Sequence, residues 1–581
     1  MAKFKKGTYS EITVGAFSGL DCRTVKEGSV CDASYMRNFR ITGDGALEKR
    51  PGYKKLLSDL EYESWYLGPV RDRELFVYKN DTVLYALDPM TGEAVDSYDA
   101  GVYDDVGFFL FGGYLYAFGG DCLVKFDGDA FSEPDIYVPT VAVTALPTGG
   151  GTVHESLNLL SEFAKISYSP DGESTVYTLP EFASEVIAVT ENGTTVDSGE
   201  YSYSADSNTV TFASPPAGGV PDSLVITFML ADGYVFNRKR FGKCFCVYGG
   251  DFVSRVFIYG VGNRIYYTDV TDTGPDVTYV PAENFITVGD GTYDVTALLR
   301  HYDRLLVFTE RETWFVSPSS VDYDGYSKPT FPVYPLNGKL GSENGAVALA
   351  NNYPVTLTLG GLYRFSATTI RDERAVECIS DKIEGLLDRE FTENALLFDL
   401  EEKKELWCAN GGTVYVYNYA LDAFYCYDGI EAEGFAALGG EAAFVNGGAV
   451  YVFDPDVYTD DGNGYAAVWE SRFFLPAKKY RKCILRRISV STLPVANNRL
   501  TLRIIPNRGR EMASEREIAS SVFDFSGTDF SNFSFDTERK PTGNRFRLRS
   551  DAFEYIRIRL ENSKTNSRCG IRGLDMKLEI L

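Results

Sequence analysis

Two histidines, His154 and His301, are the whole imidazole complement of this 581-residue chain. Neither has an acid or a nucleophile at motif spacing, so no histidine-based triad or zinc site is spelled out. Carboxylates are abundant, 82 Asp and Glu together, but a glycosidase pair is defined by distance in space, and no pair stands out along the chain. A sialidase-type box would read Ser-x-Asp-x-Gly-x-Thr-Trp. The nearest string, Ser169-Pro170-Asp171-Gly172-Glu173-Ser174-Thr175, occurs once and lacks the tryptophan. Asp454, Asp456, Asp460 and Asp461 make a dense oxygen-ligand loop, the weak candidate here for calcium. Their order departs from an EF-hand, and an acidic interdomain turn is the expectation. Gly149 to Gly151 lacks the Lys-Ser/Thr and the helix that a phosphate cradle needs. The chain is therefore expected to be non-catalytic, without cofactor or resident metal.

Arginine is the other residue type placed to do something. Arg545, Arg547 and Arg549 alternate with Phe546 and Leu548, and Arg557 and Arg559 alternate with Ile556, Ile558 and Leu560. In a strand that alternation puts the arginines on one face. With Arg481, Lys482, Arg486 and Arg487 as a second cluster, two readings stand side by side: a solvated sheet face guarded against edge pairing, or a docking face for an acidic neighbouring subunit, since the guanidinium fork suits carboxylates.

These residues must be held by strands. Apolar residues make up 44% of the chain and aromatics 14%, with 39 Tyr and 39 Phe, enough burial to exclude a largely disordered chain. The length argues for two to four domains. No run of 18 apolar residues occurs and the opening MAKFKKGTYSEITVGAF has no apolar h-region, so neither export nor a membrane span is expected. Ten dispersed cysteines without CxxC spacing read as reduced thiols. The net charge is −25, yet residues 466–581 hold 23 Lys and Arg against 13 Asp and Glu. An acidic body thus carries a basic C-terminal module, which favours head-to-tail contact between copies or an acidic partner and disfavours non-specific DNA binding by the body.

Between Leu75 and Gly128, LFVYKNDTVLYALDPMTGE and FFLFGGYLYAFGGDCLVKFDG give short β-branched or aromatic runs separated by turn signals. The cadence returns from CFCVYGG to AAFVNGGAVYVFD, the pattern of β-propeller blades without a strict consensus. The expected fold is all-β. It comprises an N-terminal extended arm and first strands (1–49), a β-propeller in two parts (50–140 and 236–465), an inserted small β-sandwich (141–235) and a C-terminal basic β-sandwich (466–581). One helix of two or three turns is expected around Ile383, in DKIEGLLDREF.

The string GALEKRPGYKKL, after Tyr35-Met36-Arg37-Asn38, sets Asn38, Lys49 and Arg50 near a Pro51-Gly52 turn. It resembles a signature of head-to-tail stabilisation and tail nozzle (tail tubular) proteins of short-tailed bacteriophages. The resemblance continues at Gly262-Asn263-Arg264-Ile265-Tyr266-Tyr267-Thr268-Asp269, where Thr268 replaces the usual serine, and in dispersed short runs over residues 17–465. It implies a structural virion protein that forms a homo-oligomeric ring, usually six copies, around the DNA channel, contacting neighbouring tail, adaptor or portal proteins. Genomic DNA would pass through without sequence-specific binding. The rivals are a tail-spike-type propeller that acts on glycans, with Tyr266, Tyr267 and Trp314 lining a sugar cleft, and a glycan-binding module without chemistry, with the Tyr-rich insertion as its binding face.

Overall fold

The computed structural model describes residues 8–23, 29–323, 326–366, 376–476, 481–493, 498–508, 510–518, 542–546, 548 and 550–581. The fold is all-β. Its repeating unit is a four-stranded antiparallel meander, the blade of a β-propeller, and seven such sheets occur among the described residues. The chain divides into two compact units, residues 62–88 with 93–341, and residues 1–61, 89–92 and 342–581.

The first unit holds four blades. One is Ser64–Val70, Arg73–Asn80, Val83–Leu87 and Ala94–Asp99; the next begins at Gly107–Phe111 and ends at Phe131–Ser132. The third runs from Cys244–Tyr248 to Phe285–Thr287 and the fourth from Val295–His301 to Val333–Asn337. Each strand alternates or runs apolar where it is buried, as in Arg255–Tyr259, buried throughout. The turns take residues that tolerate positive φ, such as Asp81 at 51°.

Between the second and third blades lies the inserted module, a six-stranded sheet whose longest strands are Thr140–Ala145, Phe163–Tyr168, Ala183–Glu191 and Leu224–Leu230, with a three-stranded sheet of Val176–Thr178, Tyr201–Ser204 and Thr209–Phe212. Both contribute to one apolar core, with Tyr168, Tyr177, Ile226 and Phe228 fully buried. Asn158, 2% exposed, fixes the module's root. Its amide donates to Tyr137 O (2.8 Å) and Thr278 O (2.7 Å), and its carbonyl accepts from Leu160 N (3.1 Å) and Val280 N (3.0 Å).

The second unit holds three blades, the last of which takes its outer strand from the N-terminal region. Ala449–Asp454 pairs with Gly52–Leu57. The N-terminal arm is not a separate element. Thr8–Val14 and Leu47–Lys49 both pair with the final strand Gly570–Ile580, and Asp32–Arg37 pairs with Ala467–Ser471. The C-terminal domain is thus two six-stranded sheets built from both ends of the chain over a shared core containing Phe39, Trp469, Ile488 and Leu578.

The helix expected around Ile383 is shorter than the sequence suggested. A 3-10 turn spans Asp381–Ile383, Gly385 breaks it with φ of 82°, and a single α-turn, Arg389–Thr392, restarts after the Asp388 N-cap, whose carboxylate accepts from Phe391 N at 2.9 Å. Among the described residues no disulfide joins any of the ten cysteines. Among the described residues no helix is long and apolar enough to cross a membrane.

Candidate functional site

The Arg50-Pro51-Gly52 turn is where the arm, the blades and the C-terminal domain join. Leu47–Lys49 is a strand of the C-terminal sheet and Gly52–Leu57 a strand of the last blade, so Arg50 lies at the switch between them. Its side chain is fully buried. Every guanidinium nitrogen is engaged: Nε donates to Asn38 Oδ1 (2.9 Å), Nη1 to Pro51 O and Asp460 Oδ1 (both 2.9 Å), and Nη2 to Asp428 O (3.0 Å) and Asp460 Oδ2 (2.6 Å). The Tyr465 ring stacks on it at 4.1 Å, and the Tyr465 hydroxyl donates to Arg50 O. A bidentate fork on a carboxylate is the geometry that lets an arginine be buried without an orphaned charge.

Asn38 organises the other side. It adopts φ of 55°, a left-handed conformation asparagine tolerates. Its amide donates to Ala466 O (2.9 Å) and to Asp428, and its carbonyl also accepts from Asp428 N (3.0 Å). Arg37 closes the network on Asp428 at 2.8 Å. Gly52 is required by space. A Cβ there would lie 2.0 Å from Thr459 O. Beside the latch, Lys49 is also fully buried, donating to Asn562 Oδ1 (3.2 Å) and Lys564 O (3.1 Å) with its ammonium 4.4 Å over Tyr465. Burial pushes the Lys49 amine down to about 8. Burial raises the Asp460 carboxyl against the pull of its bonds to Arg50.

The loop offered as a calcium site is spent on the chain's own cations. Asp460 serves Arg50, Asp454 pairs with Lys54 (2.9 Å) and Asp461 with Lys55 (3.3 Å), while Asp456 N caps onto Asp454 (3.0 Å). Among the described residues no three His, Cys, Asp or Glu side chains converge as a metal site.

The second set of motif residues forms a latch inside the third blade. Asp269 accepts from Arg255 Nη2 (2.8 Å) and Nε (3.2 Å), Asn284 Nδ2 (3.0 Å) and Val270 N (2.9 Å), and Arg255 is 4% exposed. Asn263 donates to Val288 O at 2.8 Å. Arg264 covers the Phe285 ring. Tyr266 packs edge-on against Phe241 and Tyr267 stacks on Phe257, so these aromatics pack into apolar cores. Trp314 is half-buried and donates to Glu312 (3.2 Å).

The arginines of Ile556–Asn562 do face one way, but the face is not basic. Glu470 takes Arg557 (2.6 Å) and Arg559 (3.4 Å), and Glu561 lies between Arg559 (3.5 Å) and Arg503 (3.8 Å). Arg486 pairs with Glu579. Glu470 comes from the neighbouring strand and Glu561 from the same strand, so the surface is a ladder in which acids stand among the arginines. Arg481, Lys482 and Arg487 are exposed, Arg545 is exposed on Thr542–Phe546, and Arg547 and Arg549 lie outside the described residues.

Sequence reading missed Asp428, Tyr465, Arg255 and Asn284 as partners. Arg255 carried the best signal, a lone cation opening the apolar run Val256–Tyr259. Asp428 and Tyr465 gave none, because their partners Asn38 and Arg50 lie 390 and 415 residues away, and Asn284, 15 residues from Asp269, carried no motif that would single it out.

No family model matches the chain, and no curated protein compared with it does. Among solved structures it is similar to the computationally designed Ika8 protein (11% identity, 69% of this chain, 99% of that chain, TM-score 0.32). It is also similar to a chain of the mitotic checkpoint complex (9% identity, 69% and 93%, TM-score 0.30) and to the WD40 domain of SCAP from fission yeast (8% identity, 72% and 98%, TM-score 0.26).

Proposed function

We propose that this chain is a non-catalytic structural protein of a tailed-bacteriophage virion. It acts as a homohexameric ring around the DNA channel, as the stabilisation ring of the head-to-tail connection or as the tail nozzle, and serves virion assembly and genome ejection. It is made in the host cytoplasm and incorporated beside tail, adaptor or portal proteins. The observation that carries the reading is the fate of the residues on which the resemblance rests. Asn38, Arg50, Asn263 and Asp269 are committed to internal hydrogen bonds, Gly52 to a close backbone approach, and Tyr266 and Tyr267 to apolar packing, the use expected of residues that hold a scaffold rigid. The acidic charge of residues 1–465 suits a channel wall, because like charge keeps polyphosphate from adhering during passage.

The test is the mass of the purified protein by light scattering, alone and with virion proteins from the same source, followed by negative-stain imaging. Rings with a central channel, or incorporation into tails, are the expected result. A persistent monomer that binds or degrades glycans overturns the reading in favour of a tail-spike role.

A further inference from the structure

The inserted module contains an open cleft of about 500 Å³ that neither latch uses. Val141, Ala142, Ile166, Leu179 and Phe182 form its apolar wall, and Glu155 is its one ionisable side chain. That carboxylate is engaged by the Tyr137 hydroxyl and Thr140 N, both at 2.6 Å. At the mouth, Gly149, Gly150 and Gly151 have φ of 91°, 83° and 103°, a turn glycine makes without strain and without covering the opening. Leu146, at the start of that turn, is 60% exposed and Val153, after it, 85%. A cleft of this size with apolar walls falls in the range that takes a ligand.

Charge supplies the second, independent observation. Residues 141–235 contain twelve Asp and Glu against a single basic residue, Lys165. None of the twelve is ion-paired with another described residue, whereas acids on either side of the module are, as in Asp104–Lys239 and Glu283–Lys328. An acidic surface that its own chain leaves unneutralised selects a cationic partner.

We infer that this cleft docks an extended cationic segment of a partner protein that carries one large apolar side chain. The apolar side chain seats between the glycine turn and Phe182, and the flanking Lys or Arg residues lie over the acidic module. The inference does not depend on the virion reading. Residues 1–7 of this chain, Met-Ala-Lys-Phe-Lys-Lys-Gly, have the required composition and supply the probe.

The experiment is fluorescence anisotropy of that labelled heptapeptide titrated with the full-length protein. Saturable one-to-one binding with a Kd on the order of 10–100 µM is expected. Raising NaCl from about 50 to about 500 mM weakens it at least ~3-fold, and replacing the peptide's phenylalanine by serine weakens it ~10-fold or more. Val153→Lys weakens it ~10-fold, whereas Val220→Lys, the same charge change at an exposed position that does not line the cleft, changes it less than ~2-fold. Both variants are checked by circular dichroism. Absence of saturable binding, indifference to the phenylalanine, or equal effects of the two lysine variants overturns the proposal.

Discussion

Replacing Arg50 by methionine is the sharpest probe of the joint between the blades and the C-terminal domain. The substitution keeps the aliphatic bulk and removes a guanidinium with no solvent exposure that makes five side-chain hydrogen bonds. What remains is the Asp460 carboxylate, 11% exposed, without its cation. Breaking a buried pair by removing one partner costs about 3–5 kcal/mol, because the orphaned charge keeps its desolvation penalty. An unfolding entropy of about 2.1 cal/mol/K per residue over a unit of roughly 300 residues turns ~4 kcal/mol into a fall of about 6 °C in Tm. Differential scanning calorimetry of the full chain measures it. The fall should persist in 1 M NaCl, since salt screens exposed pairs far more than buried ones. The double variant Arg50→Met/Asp460→Leu should melt above Arg50→Met, with a coupling of about 1–3 kcal/mol, because no buried charge is left behind. A Tm within about 1 °C of wild type for Arg50→Met, or a double variant equal to the sum of the singles, would refute the argument that this pair is a coupled buried latch.

Three further outcomes are expected. Burial first, then Glu401, pushes the Asp399 carboxyl up to about 7. Its contribution to stability is fully present below the ordinary carboxylate value near 4 and is lost as pH rises through 7, so Asp399→Asn should leave stability unchanged near pH 4 and raise it by roughly 1–2 kcal/mol at pH 8, read by urea titration at both pH values. Gly52→Ala should lower Tm by several degrees because its Cβ meets the Thr459 carbonyl, while Gly43→Ala, with open space around the new methyl, should leave it within about 1 °C. Asn158→Ala, which strips four hydrogen bonds from the root of the inserted module, should cost about 2–3 kcal/mol and speed hydrogen exchange at the Leu160 and Val280 amides.

The all-β class and the blade cadence were legible because a strand pattern is local. Alternation or a short apolar run, a glycine or Asn-Asp turn, and a second run are written within about 20 residues, and hairpins need no distant information to form. The inserted module was visible for the same reason, as a polar stretch with its own turn spacing. Even the arginine alternation in Ile556–Asn562 placed those side chains on one face, in agreement with the burial pattern.

What the sequence could not decide is what each residue would meet. A period of two says which face an arginine occupies but not that Glu470, from Ala467–Ser471, would stand beside it and pair with it. The aspartates from Asp454 to Asp461, expected as an acidic interdomain turn with calcium the weaker alternative, gave no sign that Arg50, more than 400 residues earlier, would pair with Asp460 among them. The blade count waited on the tertiary structure too, since the last blade takes its fourth strand from Gly52–Leu57. Composition and periodicity determined that this chain makes strands, turns and a large aromatic core. The pairing of its two ends, which buries Lys49 and Arg50 and builds the C-terminal domain from residues 8–50 and 467–580, was decided by tertiary contacts alone, because a buried charge is tolerable only where distant partners satisfy it.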